Sequence, residues 1–225
     1  MYAFLTGPAL WIAFAVFFVG LAARFVWYVR GLDWKLDRVA YRQWPKYGIR
    51  GALRSIGFWL LPWGTRSWRV KPVFTLVFFA FHIGLLVTPI FLLGHNILLD
   101  ERWGFALPTL PAGLASFFTV MVMIAGLLLA IRRIALPEVR IISNWQDYLV
   151  LLIAVAPFAT GYLAANHIGD YGFWLNVHIV TGIIWIVAIP LTKLSHFLLF
   201  FLTRAQLGMD FGIKRGGMKS KGMAW

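Results

Sequence analysis

Five long apolar runs divide this chain, and they leave one architecture open to it. About 20 residues at a rise of about 1.5 Å cross the roughly 30 Å hydrocarbon core of a bilayer. Inside that core each backbone N–H and C=O must be satisfied within the protein, so an apolar run of this length folds as a helix. The runs fall at about 4–29, 72–99, 111–131, 147–165 and 173–202. At 61% hydrophobic residues, the chain is richer in apolar side chains than the roughly 45–50% of an ordinary soluble domain. The expected fold is therefore an all-α integral membrane protein of five transmembrane helices. It reads as a single membrane domain over residues 1–225, with a loop at 30–71 and a mobile tail at 205–225. The opening Met1-Tyr2-Ala3-Phe4 has no basic stretch ahead of its apolar run, so that run reads as a retained first span rather than a signal peptide.

The formal net charge is +13, which could suggest a nucleic-acid partner. Its distribution argues instead for a membrane. The basic residues crowd the gaps between apolar runs, where they set topology and meet anionic headgroups. Ten Lys or Arg side chains lie between Arg30 and Lys71, against Asp33 and Asp37. Arg132, Arg133 and Arg140 follow the third run, and Lys214, Arg215, Lys219 and Lys221 occupy the tail. The segments after the second and fourth runs, Asp100-Glu101-Arg102-Trp103-Gly104 and Asn166-His167-Ile168-Gly169-Asp170, carry one basic residue between them. Basic and non-basic connections alternate without conflict. This predicts an N-terminus outside and a C-terminus in the cytoplasm, as in a multi-pass protein of a bacterial inner membrane. Within the first basic loop, residues 49–60 alternate apolar and basic faces, which fits either a helix lying in the membrane plane or a plain basic loop.

The chain contains no cysteine. Disulfides, thiolate-held iron–sulfur clusters and covalent c-type haem are thereby excluded. A redox role then needs a cofactor held by other ligands.

Histidine supplies the candidates. His82 and His95 lie on the second run, His178 and His196 on the fifth, and His167 in the connection between the fourth and fifth. An ionisable side chain within a span is costly and marks a functional site by default. Consecutive odd and even spans run in opposite directions, so antiparallel packing sets His95 opposite His178 near the outer face. It sets His82 opposite His196 near the cytoplasm. Each pair offers two axial imidazoles to a haem iron, a ligation suited to electron transfer. On a continuous helix His178 and His196, five turns apart, share a face and are separated by about 27 Å, whereas the His82–His95 step spans only about 20 Å and leaves its two residues off a common face. Pro89 and Pro190 lie between the members of each step and are expected to bend the helices. Zinc fits less well, because it takes three or four ligands at one depth, and Glu-x-x-His motifs for a di-iron site are absent.

Gly84, Gly94 and Gly182 flank these histidines. They either make room for a porphyrin or serve ordinary small-residue helix packing. Lys193, Arg132 and Arg133 are candidate partners for haem propionates near the cytoplasmic pair. The alternative of a different class is a haem-free membrane anchor or transporter subunit, with the histidines as helix–helix contacts or a proton relay. His167 reads as a solvated loop residue.

Phe81-His82-Ile83-Gly84 with Gly94-His95, then Arg132-Arg133, Trp145-Gln146-Asp147-Tyr148, Val177-His178-Ile179 and Ile189-Pro190-Leu191-Thr192-Lys193-Leu194-Ser195-His196-Phe197, together resemble the second to fifth spans of the respiratory nitrate reductase gamma subunit family. That family is one of five-helix dihaem cytochromes b. The length and the opening Met1-Tyr2-Ala3-Phe4-Leu5-Thr6-Gly7-Pro8 are most similar to the cytochrome b subunits of the high-molecular-weight cytochrome c complexes of sulfate-reducing bacteria. The resemblance implies two haem b groups with His82, His95, His178 and His196 as axial ligands. It implies a place in a respiratory oxidoreductase complex, with multihaem cytochrome c outside, an iron–sulfur protein inside, and electron exchange with menaquinone or another quinone. The two histidines of the second span stand further apart here than in nitrate reductase. A quinone is expected near Gly94, His95 and Asn96.

Overall fold

The computed structural model describes residues 1–32 and 45–214. The start of the basic loop with Asp33 and Asp37, and the Gly-rich end of the tail with Arg215, Lys219 and Lys221, lie outside the described residues. Among those described, all regular structure is helical. Five helices are long and apolar enough to cross a membrane: α1 (Tyr2–Arg30), α4 (Pro72–Phe91), α6 (Ala112–Ala135), α8 (Trp145–Ala165) and α9 (Tyr171–Leu191). Shorter helices are α2 (Pro45–Leu60), α3 (Arg66–Arg69), α5 (Leu93–Trp103), α7 (Pro137–Arg140) and α10 (His196–Lys214). The chain is a multi-pass membrane protein on this count. Many large apolar side chains, such as Phe18, Val73, Ile124 and Leu152, point outward, as lipid-facing positions should.

Local sequence chemistry sets the helix ends. Proline opens α2, α4 and α7, where its missing N–H is one that helix geometry leaves unpaired anyway. Asn144 caps α8, its Oδ1 accepting from the Gln146 N–H, while Asp147 reaches back to the Asn144 N–H at 2.9 Å. Asp170 accepts from the Phe173 N–H at the start of α9. Near the start of α1, Gly7 leaves helical geometry just before Pro8, giving a wide turn over Leu5–Ala9.

Two spans end sooner than the apolar runs predict. The second run was expected to stay helical to about residue 99, and the fifth to about 202. Instead Leu92 turns extended between α4 and α5, and Thr192 does the same after α9, ahead of a short 3-10 turn at Lys193–Ser195. In each case a proline, Pro89 or Pro190, sits in the last turn. It removes one N–H from the ladder, and few rungs remain beyond it to carry the helix on. His178 and His196 therefore do not share a face of one continuous helix, and His82 and His95 are separated by a break rather than a bend.

The chain forms two compact units. The first comprises residues 1–14 and 77–188. Its core joins Phe81 of α4, Val122 and Ala125 of α6, and Ala154 and Phe158 of α8, with Trp185 of α9 edge-on to Phe158. Lipid tails are as apolar as leucine, so these helices associate through close packing rather than burial of apolar surface. Small residues permit it: Gly84 lies under Val122, and Gly126 lies under Val155. The second unit comprises residues 15–76 and 189–225. There α2 is helical, as one of the two sequence readings proposed, and it packs along α10 at Gly51 and Gly208, where the backbones nearly touch. Residues 205–214, expected to be mobile, belong to α10. Trp68 of α3 is buried, stacks edge-on against Trp59 and donates from its indole to the Trp59 carbonyl.

Candidate functional site

His95 and His178 come together in the first unit. His95 stands in the first turn of α5 and His178 two turns into α9. Their ring centres are 5.8 Å apart and the ring planes lie 9° from parallel. Two imidazoles bound on opposite sides of one metal atom, each through a nitrogen about 2 Å from it, place their ring centres about 6 Å apart. The separation thus suits a single metal atom between the rings.

The other ring nitrogen of each histidine is fixed by backbone. His95 Nδ1 is 2.9 Å from the Pro89 carbonyl, and His178 Nδ1 is 2.8 Å from the Pro157 carbonyl on α8. A carbonyl oxygen can only accept, so Nδ1 carries the proton and Nε2 keeps the lone pair. This is the tautomer of a metal-binding imidazole whose ring is oriented by a carbonyl accepting its other N–H. The same pattern recurs at His82, with Nδ1 2.8 Å from the Phe78 carbonyl, and at His196, with Nδ1 2.9 Å from the Lys193 carbonyl. All four candidate ligands therefore share the same tautomer. His82 belongs to the first unit and His196 to the second.

The break at Leu92 makes the His95 anchor available. Leaving the helix strands the carbonyls of residues 89 to 91, and each then finds a new donor, while the Leu92 carbonyl takes the Asn96 N–H and shares the Asn96 side chain. Pro89 O takes His95 Nδ1, Ile90 O and Leu92 O take Asn96 Nδ2, and Phe91 O takes the Leu110 N–H. Asn96 Oδ1 accepts from the Leu107 N–H. The sequence pointed to Asn96 as part of a quinone pocket. In the structure it is fully buried, with both polar ends committed to backbone, and it ties the break to the 104–111 connection.

Gly161 on α8 is a residue the sequence reading missed. A Cβ placed there would lie 2.9 Å from both Nδ1 and Cε1 of His178, well inside van der Waals contact. The His178 ring therefore lies directly over the α8 backbone between Pro157 and Gly161. The hydroxyls of Thr160 and Thr181 sit 3.1 Å apart at the same crossing. The available signal was Pro157-x-x-x-Gly161, a small residue one turn after a proline in an otherwise apolar helix.

The remaining candidates separate. Gly84 is packed against Val122, Met121 and the Phe118 backbone of α6, so helix packing accounts for it. Gly94 and Gly182 have open space where a side chain would be. Lys193 is exposed and opens the otherwise buried 3-10 turn before His196. Arg133 is held by Ser143 Oγ at 3.0 Å. His167 is exposed in the connection before α9, with positive φ and its ring 5.2 Å from that of Tyr171. Among the described residues no three His, Cys, Asp or Glu side chains gather as a metal cluster would. A two-histidine site instead suits a cofactor that brings its own equatorial ligands.

Fold and site define a class: a multi-pass helical membrane protein with a facing pair of backbone-anchored histidines. The chain belongs to one family with a protein of Nitratidesulfovibrio vulgaris strain Hildenborough, to which it is 55% identical over 217 residues, covering 96% of each chain. No protein-family model matches the chain, and no solved structure does.

Proposed function

We propose that this chain is the dihaem cytochrome b subunit of a respiratory complex in a bacterial inner membrane, carrying electrons between partners on the two sides. The observation that carries the reading is the His95–His178 pair, with ring centres 5.8 Å apart and both Nδ1 atoms tied to proline carbonyls. Such a pair would hold one haem through His95 and His178. Haem supplies reversible one-electron chemistry at its iron. The residues' part is to present Nε2, to hold the rings against rotation through Pro89 O and Pro157 O, and to surround the site with a low-dielectric shell. The second haem is assigned from the sequence to His82 and His196, with Lys193 toward a propionate. The loop charges orient the chain with the N-terminus outside. Partners of the kind implied by the sequence resemblance are a multihaem cytochrome c outside and an iron–sulfur protein inside, with menaquinone or another quinone as a further donor or acceptor.

A reduced-minus-oxidised spectrum of the purified protein, with haem quantified per chain, tests this. Two b-type haems are expected, and one of them should be lost in each of His95→Ala and His178→Ala. A preparation with no b-type α-band, folded and complete in length, would favour the haem-free anchor instead. One haem per chain in the unaltered protein would refute the two-pair assignment.

A further inference from the structure

The paired site has a steric feature that ligand identity alone does not explain. The His178 ring is confined on two sides. Its Nδ1 is held at 2.8 Å by the Pro157 carbonyl, and its edge lies where a side chain at Gly161 would stand, 2.9 Å from the would-be Cβ. Both constraints come from one turn of α8. His95 is confined separately, by the Pro89 carbonyl and the break at Leu92. Under these restraints the two ring planes differ by 9°. Any side chain at Gly161 must push the His178 ring away from α8, either turning its plane or breaking the bond to Pro157.

Resting on the proposed haem reading, we infer that Gly161 is a positioning residue that sets the plane of His178 parallel to that of His95. A haem at this site is then held between near-parallel imidazoles. Ring orientation matters because each imidazole donates through a p orbital perpendicular to its plane. Parallel rings donate into the same iron d orbital and lift its degeneracy with its neighbour. Crossed rings donate equally into both. In the ferric state the first arrangement gives a rhombic low-spin electron paramagnetic resonance spectrum, and the second gives a highly anisotropic one.

The experiment is such a spectrum on the oxidised, purified full-length protein, with the outer-site signal identified by its loss in His95→Ala. A rhombic outer signal is expected in the unaltered protein. Gly161→Ala should shift that signal toward the anisotropic form or remove it, leaving the signal of the other haem in place as internal reference. Gly113→Ala, near the start of α6 at a position with open space around it, should change neither. A highly anisotropic outer signal in the unaltered protein overturns the inference, and that measurement needs no variant to fold. An outer signal unchanged in Gly161→Ala also overturns it. Absence of any b-type haem overturns the electron-carrier reading itself, and the optical spectrum distinguishes that failure from this one.

Discussion

At His95 the backbone, not another side chain, decides which ring nitrogen can bind. The residue one place along, Asn96, keeps that backbone in position. Its amide joins the Ile90 and Leu92 carbonyls to the Leu107 N–H across the break at Leu92. Asn96→Ala should leave the Ile90 carbonyl and the Leu107 N–H without these partners where little water reaches them, at about 1–3 kcal/mol for each buried group left without a partner, while the Leu92 carbonyl keeps the backbone N–H of residue 96. The expected outcome is a lower melting temperature in detergent, together with reduced haem content at the outer site and unchanged content at the other. Asn96→Asp is a finer probe. It keeps the acceptor for Leu107 but replaces the two N–H donors, so it should fall between Ala and the parent. Equal stability of all three proteins would show that the break does not depend on this side chain.

At the scale of elements, the apolar runs made five spans legible, because length and composition alone decide whether a helix can cross a bilayer. They did not show where spans two and five stop. The residues after Leu92 and Thr192 are less apolar than those before but still rich in Leu, Ile and Phe, and the break is set by the late proline together with hydrogen bonds that only the folded chain supplies. The Thr192 hydroxyl accepts from the Leu194 N–H, and Arg24 of α1 donates to the Pro190 carbonyl at 2.9 Å. The pairing of His95 with His178 could be anticipated from depth. The Gly161 contact had only a faint signal, Pro157-x-x-x-Gly161, since the sequence does not say which side of α8 faces α9. The α2 helix is an intermediate case, where alternating faces allowed a helix or a loop and packing on α10 selected the helix. That packing rests on Gly51 and Gly208. Gly208→Leu should force the helices apart, and overpacking of a tight contact costs about 1–3 kcal/mol. A matched change on the opposite face, Leu53→Ala, where the side chain is 66% exposed, should be nearly neutral. Thermal unfolding of the two variants side by side checks this, and similar losses in both would mean that α2 is held by its outward face.

For the molecule as a whole, five candidate spans among the described residues make the direction of insertion the property to measure. The loop charges are the basis of the direction proposed above. Lys and Arg resist transfer across the membrane, so the loops that hold them stay on the cytoplasmic side. On that rule the connection before α9 faces outward and the α6–α8 connection faces the cytoplasm. The chain's lack of cysteine makes this directly measurable, since any thiol introduced is the only one present. Ile168→Cys lies in the first connection and Glu138→Cys in the second, and both positions are exposed. In cells whose outer barrier has been opened, a membrane-impermeant maleimide should label the residue at 168 and spare the one at 138, and inverted inner-membrane vesicles should reverse the pattern. Labelling of 138 alone in the opened cells would place the basic loops outside. It would also put the His95–His178 pair on the cytoplasmic side, reversing the order of the two proposed haem sites.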